Sequence, residues 1–473
     1  MFILFSAFFI IINHSFSYSI INPTDPEKVI GNWQGKLNIS TFQLRIVFRI
    51  SFDSTGNLTG FMDSPDQSAK DIPVSNVVLW DDSVKFEVAL VSGYFAGKLI
   101  SDSSKISGQW FQMGAAFPLV LSKTDEVPQL IRPQEPKPPF PYSVEEVKFE
   151  NRVDGITLAG TLTKPENEKN LTCVILISGS GGQNRDEELL GHKPFLVLAD
   201  HLTRNGIAVL RYDDRGIAES TGDYQSATTK DLARDVIAAI EYLKSRNDIN
   251  ELKIGLIGHS EGGLIAPIVA NQIEDLAFVV LMAGPGMMGK DLLPLQSELI
   301  SKSMGLKEEE YSKDIQTAKK MYEIVLNEKD SVLAEKKLKE LFYESYSASP
   351  DSVKTQLGNP EDYFLRQVKV ILGSWFKHFL AYDPYPALTK IKCPVLAING
   401  EKDVQVPPKE NLSLIKKALI EGGNNNYKIV ELEGLNHLFQ TAVTGAPTEY
   451  SMIEETMSPT ALVTISDWIK SLK

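Results

Sequence analysis

Positive charge is in short supply in this chain. Its 473 residues carry 48 Lys and Arg against 61 Asp and Glu, a formal net charge of −13. No run of clustered cations interrupts that balance. That balance argues against a nucleic-acid partner, because a phosphate-binding surface is built from grouped Lys and Arg. Cysteine is scarcer still: there are two, Cys173 and Cys393. Each opens an apolar, strand-like run, so both read as buried free thiols, and a disulfide would need those strands side by side. Two cysteines cannot by themselves build a zinc site and no H-E-x-x-H is present; the serine chemistry read below implies neither a metal nor an organic cofactor. A long hydrophobic run is also missing. Phe2–Ile12 has the length of a signal-peptide core and falls short of a membrane span. With Ser17 and Ser19 as the small residues of a cleavage site, residues 1–19 read as a signal peptide. Export to the periplasm or the exterior is then expected, with no stable membrane span after cleavage. No Lys or Arg precedes the apolar core, which keeps an uncleaved anchor or a buried N-terminal segment as the other reading.

What is present falls into two grammars, and the length alone suggests about two to three domains. Residues 25–123 show short alternating runs. Phe42, Leu44, Ile46, Phe48, Ile50 and Phe52 share one face of a strand, and further runs follow at Leu58–Met62, Val74–Trp80, Val84–Val91, Tyr94–Ile100, Lys105–Gln112 and Phe117–Leu121. That spacing predicts an antiparallel barrel or sandwich. Gly31-Asn32-Trp33 and Gly108-Gln109-Trp110 near its ends resemble a lipocalin-like barrel, whose terminal strands meet at a tryptophan. Such a domain is either a small-molecule or glycan binder or a structural accessory. Residues 124–142, with six prolines from Pro128 to Pro141, form a stiff linker.

From residue 143 to 473 strands and helices alternate, the pattern of a parallel sheet covered on both faces. A hairpin at Val144–Asn151 and Thr157–Thr163 precedes strands at Cys173–Ser178, Ile207–Tyr212, Lys253–Ile257 and Phe278–Ala283. Helices are expected at Phe195–Asn205 and Thr229–Ser245. About residues 284–383 then turn helical and charged before strands resume at Pro394–Asn399 and Lys428–Leu432. An insertion between two strands sits over the crevice where open α/β sheets bind ligands, so this segment reads as a cap.

The chemistry concentrates at Gly258-His259-Ser260-Glu261-Gly262, between a predicted strand and a helix-capable run. A serine on so sharp a turn needs small neighbours, and its hydroxyl is presented clear of the sheet. Glu261 N–H, at a helix N-terminus, is placed to donate to a developing oxyanion. Such a serine needs a base and an orienter. Of the six histidines, His14 lies in the signal segment, His192 and His201 in or beside a helix, and His378 in the cap. His259 adjoins the serine with its side chain expected to project elsewhere. That leaves His437, in the loop after the last strand. Asp403, in Asn399-Gly400-Glu401-Lys402-Asp403, is the candidate orienter, with Glu401 and Asp383 as rivals. Gly179-Ser180-Gly181-Gly182 ends a strand and offers a second oxyanion amide. Read instead as a dinucleotide fingerprint, that loop lacks the third glycine, since residue 184 is Asn.

Over residues 143–473 the chain resembles the α/β-hydrolase superfamily, and within it secreted bacterial acyl esterases and serine aminopeptidase-like hydrolases. Three stretches carry the likeness: Ile177–Glu187, where Ser178 replaces the family's usual histidine; Arg211–Gly222, whose Asp213, Asp214 and Arg215 read as structural pins; and the elbow Gly258–Gly263. The resemblance implies Ser260 as nucleophile, Asp403 as orienter and His437 as base, with the amides of Ser180 and Glu261 as the oxyanion hole. It implies a small-molecule ester as substrate, cleaved through an acyl-enzyme. A serine peptidase or a glycan acyl or feruloyl esterase, with a glycan ester as substrate, is the alternative. A non-catalytic binding protein is more remote.

Overall fold

The computed structural model describes residues 25–39, 42–65, 69–100, 104–112, 115–125, 132–349, 354, 357 and 359–472. Residues 1–19, expected from the sequence to be a signal peptide, and part of the linker, residues 126–131, lie outside the described residues. Two compact units are present: residues 132–341 with 367–473 form one, and the N-terminal strands with 342–366 form the other.

The N-terminal strands are β1 (Gly31–Ile39), β2 (Phe42–Phe52), β3 (Leu58–Ser64), β4 (Ala69–Val74), β5 (Asn76–Trp80), β6 (Ser83–Val88), β7 (Gly93–Leu99), β8 (Lys105–Gln112) and β9 (Ala115–Thr124). They form one antiparallel sheet in the order β4-β3-β2-β1-β9-β8-β7-β6-β5. First and last strands pair through Asn32–Gln34 against Thr124–Ser122, so the sheet curls into a nearly closed barrel whose seam falls between β4 and β5. The expected meeting at a tryptophan is present. Trp33 is fully buried, its Nε1 donates to the Val29 carbonyl at 2.7 Å, and Lys123 Nζ lies 5.5 Å from its ring centroid. Alternation along β2 places Leu44, Ile46, Phe48 and Ile50 inside, while Phe52 is 44% exposed at the strand end. The Phe42 side chain lies outside the described residues. Phe48 sits 4.9 Å from Phe86, 6.1 Å from Phe95 and 6.2 Å from Trp110, centroid to centroid. Aromatic side chains thus fill the middle of the barrel, as in an ordinary core.

The second unit is built on an eight-stranded sheet: β10 (Ser143–Asn151), β11 (Ile156–Lys164), β12 (Leu171–Ile177), β13 (Ala208–Tyr212), β14 (Ile249–His259), β15 (Phe278–Met282), β16 (Val395–Gly400) and β17 (Tyr427–Leu432). Its order is β10-β11-β13-β12-β14-β15-β16-β17. The hairpin β10–β11 and its junction with β13 are antiparallel, and every later pairing is parallel. Cys173 to Ile177 are all at most 1% exposed, as expected of a parallel strand covered on both faces. On one face pack α1 (Pro194–Arg204) and the C-terminal helix Pro459–Ser471. On the other lie α2 (Thr229–Lys244), α3 (Gly262–Ala270) and helix Pro408–Glu421. The cysteines stay free, since β12 and β16 are separated by two strands.

Between β15 and β16 come helices Gly289–Ser303, Glu308–Asn327, Ser331–Ala348, Pro360–Ile371, Ser374–Ala381 and the short Tyr385–Leu388. No helix among the described residues is long and apolar enough to cross a membrane.

Candidate active site

The elbow follows from sterics. β14 ends at His259 and α3 begins at Gly262, leaving two residues for the reversal. Ser260 takes φ = +50°, a strained value for a side chain with a Cβ. A Cβ at Gly258 would collide with the Gly262 carbonyl, one at Gly262 with the Ile177 carbonyl, and one at Gly263 with Cα of Gly284. The flanking glycines are therefore required by contact distance. Ser260 N–H donates to the Met282 carbonyl at 2.9 Å, tying the strained residue to β15. Glu261 is the N-cap residue of α3. Its N–H, one of the orphan donors of a helix start, finds no acceptor among the described residues.

His437 and Asp403 lie on the loops after β17 and β16. His437 Nδ1 donates to Asp403 Oδ2 at 2.7 Å, and both residues are buried. Asp403 Oδ1 accepts from the N–H groups of Gln405 and Val406, each at 2.8 Å. With Nδ1 committed as donor, His437 Nε2 carries the lone pair. The loop is held from within, for Asn436 Oδ1 accepts from Leu438 N and Gln440 N at 3.0 Å. Ser260 is brought to the same end of the sheet. Its hydroxyl has no hydrogen-bond partner among the described residues, so the serine–histidine contact is not made in this state. The rivals of Asp403 have local tasks. Glu401 accepts from Gly434 N and Asp383 from Tyr385 N.

The glycine loop after β12 faces the elbow, with Gly179 packed so closely that a Cβ there would lie 3.2 Å from Ser260 Cβ. Ser180 sits on it beside Glu261, whose carboxylate it hydrogen-bonds through its side chain. Asp213 accepts from Arg185 at 2.7 Å and Asp235 accepts from Arg215 at 2.7 Å, contacts that suit structural pins. Ser178, at the family's histidine position, bonds Asp214 Oδ1 at 2.9 Å, and Gln183 N donates to Asp214 Oδ2 at 2.9 Å. Asp214 thus joins the two ends of the loop.

Burial pushes the Asp214 carboxyl up from an ordinary 3.8 to about 8. At neutral pH it is therefore a protonated acid. Between pH 4 and 8 the folded state holds a proton the unfolded state has released, so stability falls as pH rises, by up to about 1.4 kcal/mol per unit. Asp214→Asn copies the neutral acid, with an NH2 toward Ser178 and an oxygen toward Gln183. It is expected to flatten the melting temperature against pH between pH 5 and 8, and an unchanged slope in thermal melts would exclude this origin.

Sequence reasoning missed two side chains here. His259 points inward. Its ring centroid lies 4.9 Å from that of His437, with Nδ1 2.9 Å from Glu187 Oε1 and Nε2 3.1 Å from the His437 carbonyl. Trp375, on cap helix Ser374–Ala381, donates Nε1 to the Glu261 carboxylate at 2.9 and 3.0 Å, and Thr229 Oγ1 donates to it at 2.7 Å. Burial raises the Glu261 pKa against the lowering effect of these donors. The cap is anchored to the residue after the elbow serine. Nothing at the sequence level paired either side chain with the site.

A sheet threaded in this order, with the serine elbow at the end of its fifth strand and helices on both faces, is the architecture of the α/β-hydrolase fold. Residues 193–353 match the family described as serine aminopeptidase, S33. The chain is similar to esterase EstD of Thermotoga maritima, with 27% identity over 304 residues, 63% of this chain and 62% of that protein. An acyl transferase of Photobacterium leiognathi is 32% identical over 123 residues, 26% of this chain and 36% of its own. The chain thus spans less than two thirds of these relatives. Among solved structures, esterase Pf2001 of Pyrococcus furiosus has a TM-score of 0.41 at 15% identity, covering 70% of this chain and 93% of that one. Est1E of Butyrivibrio proteoclasticus, solved with ferulic acid, has a TM-score of 0.38 at 17% identity, covering 68% and 96%.

Proposed function

We propose that the protein is a serine hydrolase that cleaves carboxylic esters, with Ser260 as nucleophile, His437 as general base and Asp403 as its orienter. The observation that carries this reading is the 2.7 Å bond from His437 Nδ1 to Asp403 Oδ2 at the sheet end that bears the elbow. It fixes the tautomer in which Nε2 accepts a proton. In this scheme His437 takes the Ser260 proton as the hydroxyl attacks the ester carbonyl. The amides of Ser180 and Glu261 receive the oxyanion, the alcohol leaves with the proton, and water then releases the acyl group by the reverse route. The similarity to EstD supports ester over amide chemistry. Export remains part of the proposal through residues 1–19.

The test is turnover of p-nitrophenyl esters from acetate to decanoate beside aminoacyl p-nitroanilides. Ester hydrolysis that peaks at short chains is expected, with anilide hydrolysis far slower. Anilide turnover equal to or above ester turnover would move the assignment to a peptidase. Silence on both, with no labelling by a fluorophosphonate, would leave a binding protein.

A further inference from the structure

Three loops from three separate strands must keep register for this chemistry: Ser178–Glu187 after β12, the elbow after β14, and Glu433–His437 after β17. One buried imidazole touches all three. His259 is the last residue of β14 and is 6% exposed. Its Nε2 faces the His437 carbonyl at 3.1 Å. A carbonyl oxygen only accepts, so Nε2 carries a hydrogen. Its Nδ1 faces Glu187 Oε1 at 2.9 Å, and the same oxygen accepts from Gly179 N–H at 2.7 Å. Gly179 in turn packs against Ser260 Cβ. A single chain of contacts therefore runs from the loop that bears the proposed oxyanion amide of Ser180, through Glu187 and His259, to the backbone of the proposed base. Glu187 is itself 5% exposed.

We infer that Glu187 and His259 are positioning residues for acyl transfer, clamping the oxyanion loop and the His437 loop to the elbow. This rests on the esterase reading above and adds two residues that touch neither substrate nor the reacting atoms. A buried ionisable pair costs desolvation that an apolar pair would not. Its return here is geometric, since no apolar side chain offers donors to a carbonyl and a carboxylate at once. Coulombic attraction from Glu187 and its hydrogen bond raise the His259 pKa against burial, with Asp403 adding to them. That supports the same assignment of protons.

Glu187→Gln is the decisive variant. The amide has Glu187's shape but no charge: its oxygen can still accept from both Gly179 N–H and Nδ1–H, yet without the ionic attraction that holds the Nδ1 proton. Either the oxygen stays and loses its ionic partner, or the NH2 turns to Nδ1 and Gly179 loses its acceptor. His259→Ala removes both arms. His259→Gln sets an amide nitrogen near the place of Nε2 and restores the bond to the His437 carbonyl. Glu187→Gln and His259→Ala are expected to lower kcat on p-nitrophenyl acetate by about 10- to 100-fold, the loss that a displacement near 1 Å produces. KM should stay within about 2-fold. His259→Gln should recover most of the kcat lost in His259→Ala, and Glu187→Gln combined with His259→Ala should lose little beyond either alone. Should His259→Ala fail to fold, Glu187→Gln against His259→Gln decides the matter, with melting temperature as control. Parental kcat in folded Glu187→Gln, or a rise in KM alone, overturns the proposal. Ser260→Ala is run alongside. Activity surviving there sinks the esterase reading itself, whereas a dead Ser260→Ala beside a fully active Glu187→Gln sinks only the clamp.

Discussion

Ester turnover is expected to fall by about 10⁶-fold when Ser260 is replaced by alanine, the scale on which a serine hydrolase loses kcat without its nucleophile. Stability should scarcely move. The Ser260 hydroxyl has no partner among the described residues, so its removal breaks no hydrogen bond. The strain at φ = +50° belongs to any residue with a Cβ, and alanine inherits it unchanged. The bond from Ser260 N to the Met282 carbonyl is also retained. A dead enzyme with the parent's melting temperature is therefore the prediction, read by p-nitrophenyl acetate hydrolysis and a thermal melt on the same preparation. The remaining activity should stand about 10³- to 10⁴-fold above water, because the oxyanion amides persist. Turnover within about 10-fold of the parent would remove Ser260 from the mechanism. Loss of activity together with a fall of many degrees would assign it a structural part instead.

Much of this site was legible in the sequence because its chemistry is written locally. The elbow needs glycines at fixed offsets from Ser260, and the structure supplies the reason in the collisions at Gly258, Gly262 and Gly263. His437 could be reached by elimination because histidines are few. Position after a strand did not separate Asp403 from Glu401, which follows the same strand, and Asp403 was assigned through the family resemblance; the hydrogen bonds of Glu401 and Asp383 now give those two local duties. The contacts that escaped are long-range. His259 and Glu187 are 72 residues apart and Trp375 and Glu261 are 114 apart, and no periodicity encodes such a meeting. The expectation that the His259 side chain projects away from the site was wrong for a physical reason. Residue alternation along a strand decides sheet face, but at the last residue the loops of neighbouring strands decide what the side chain meets. In the barrel, β4 was missed because Lys70-Asp71-Ile72-Pro73 breaks the apolar alternation and carries a proline. Such a strand suits a sheet edge, where β4 lies.

Asp403→Asn tests the relay more sharply than any truncation, because the structure dictates which way the amide must point. Asp403 Oδ1 accepts two backbone donors, Gln405 N and Val406 N, both at 2.8 Å. In the asparagine variant an NH2 at that position would face two N–H groups and leave both buried donors unsatisfied, which costs more than any other arrangement of the side chain. The amide oxygen therefore stays there, and the NH2 takes the place of Oδ2, 2.7 Å from His437 Nδ1. An NH2 donates, so Nδ1 must accept, and the imidazole proton moves to Nε2. His437 then presents a hydrogen to Ser260 where a lone pair is needed. A loss of about 10⁴-fold in kcat is expected, with the fold intact and KM little changed. Activity should recover at alkaline pH only insofar as hydroxide or a deprotonated Ser260 substitutes for the base. Asp403→Ala is the control. It removes the donor along with the carboxylate, frees the histidine tautomer, and should leave more activity than the isosteric asparagine despite a larger loss of stability. Kinetics of both variants over pH 6–10 check the order. Asparagine equal to aspartate would mean that the bond to His437 orients nothing, and with it the assignment of Asp403 would fall.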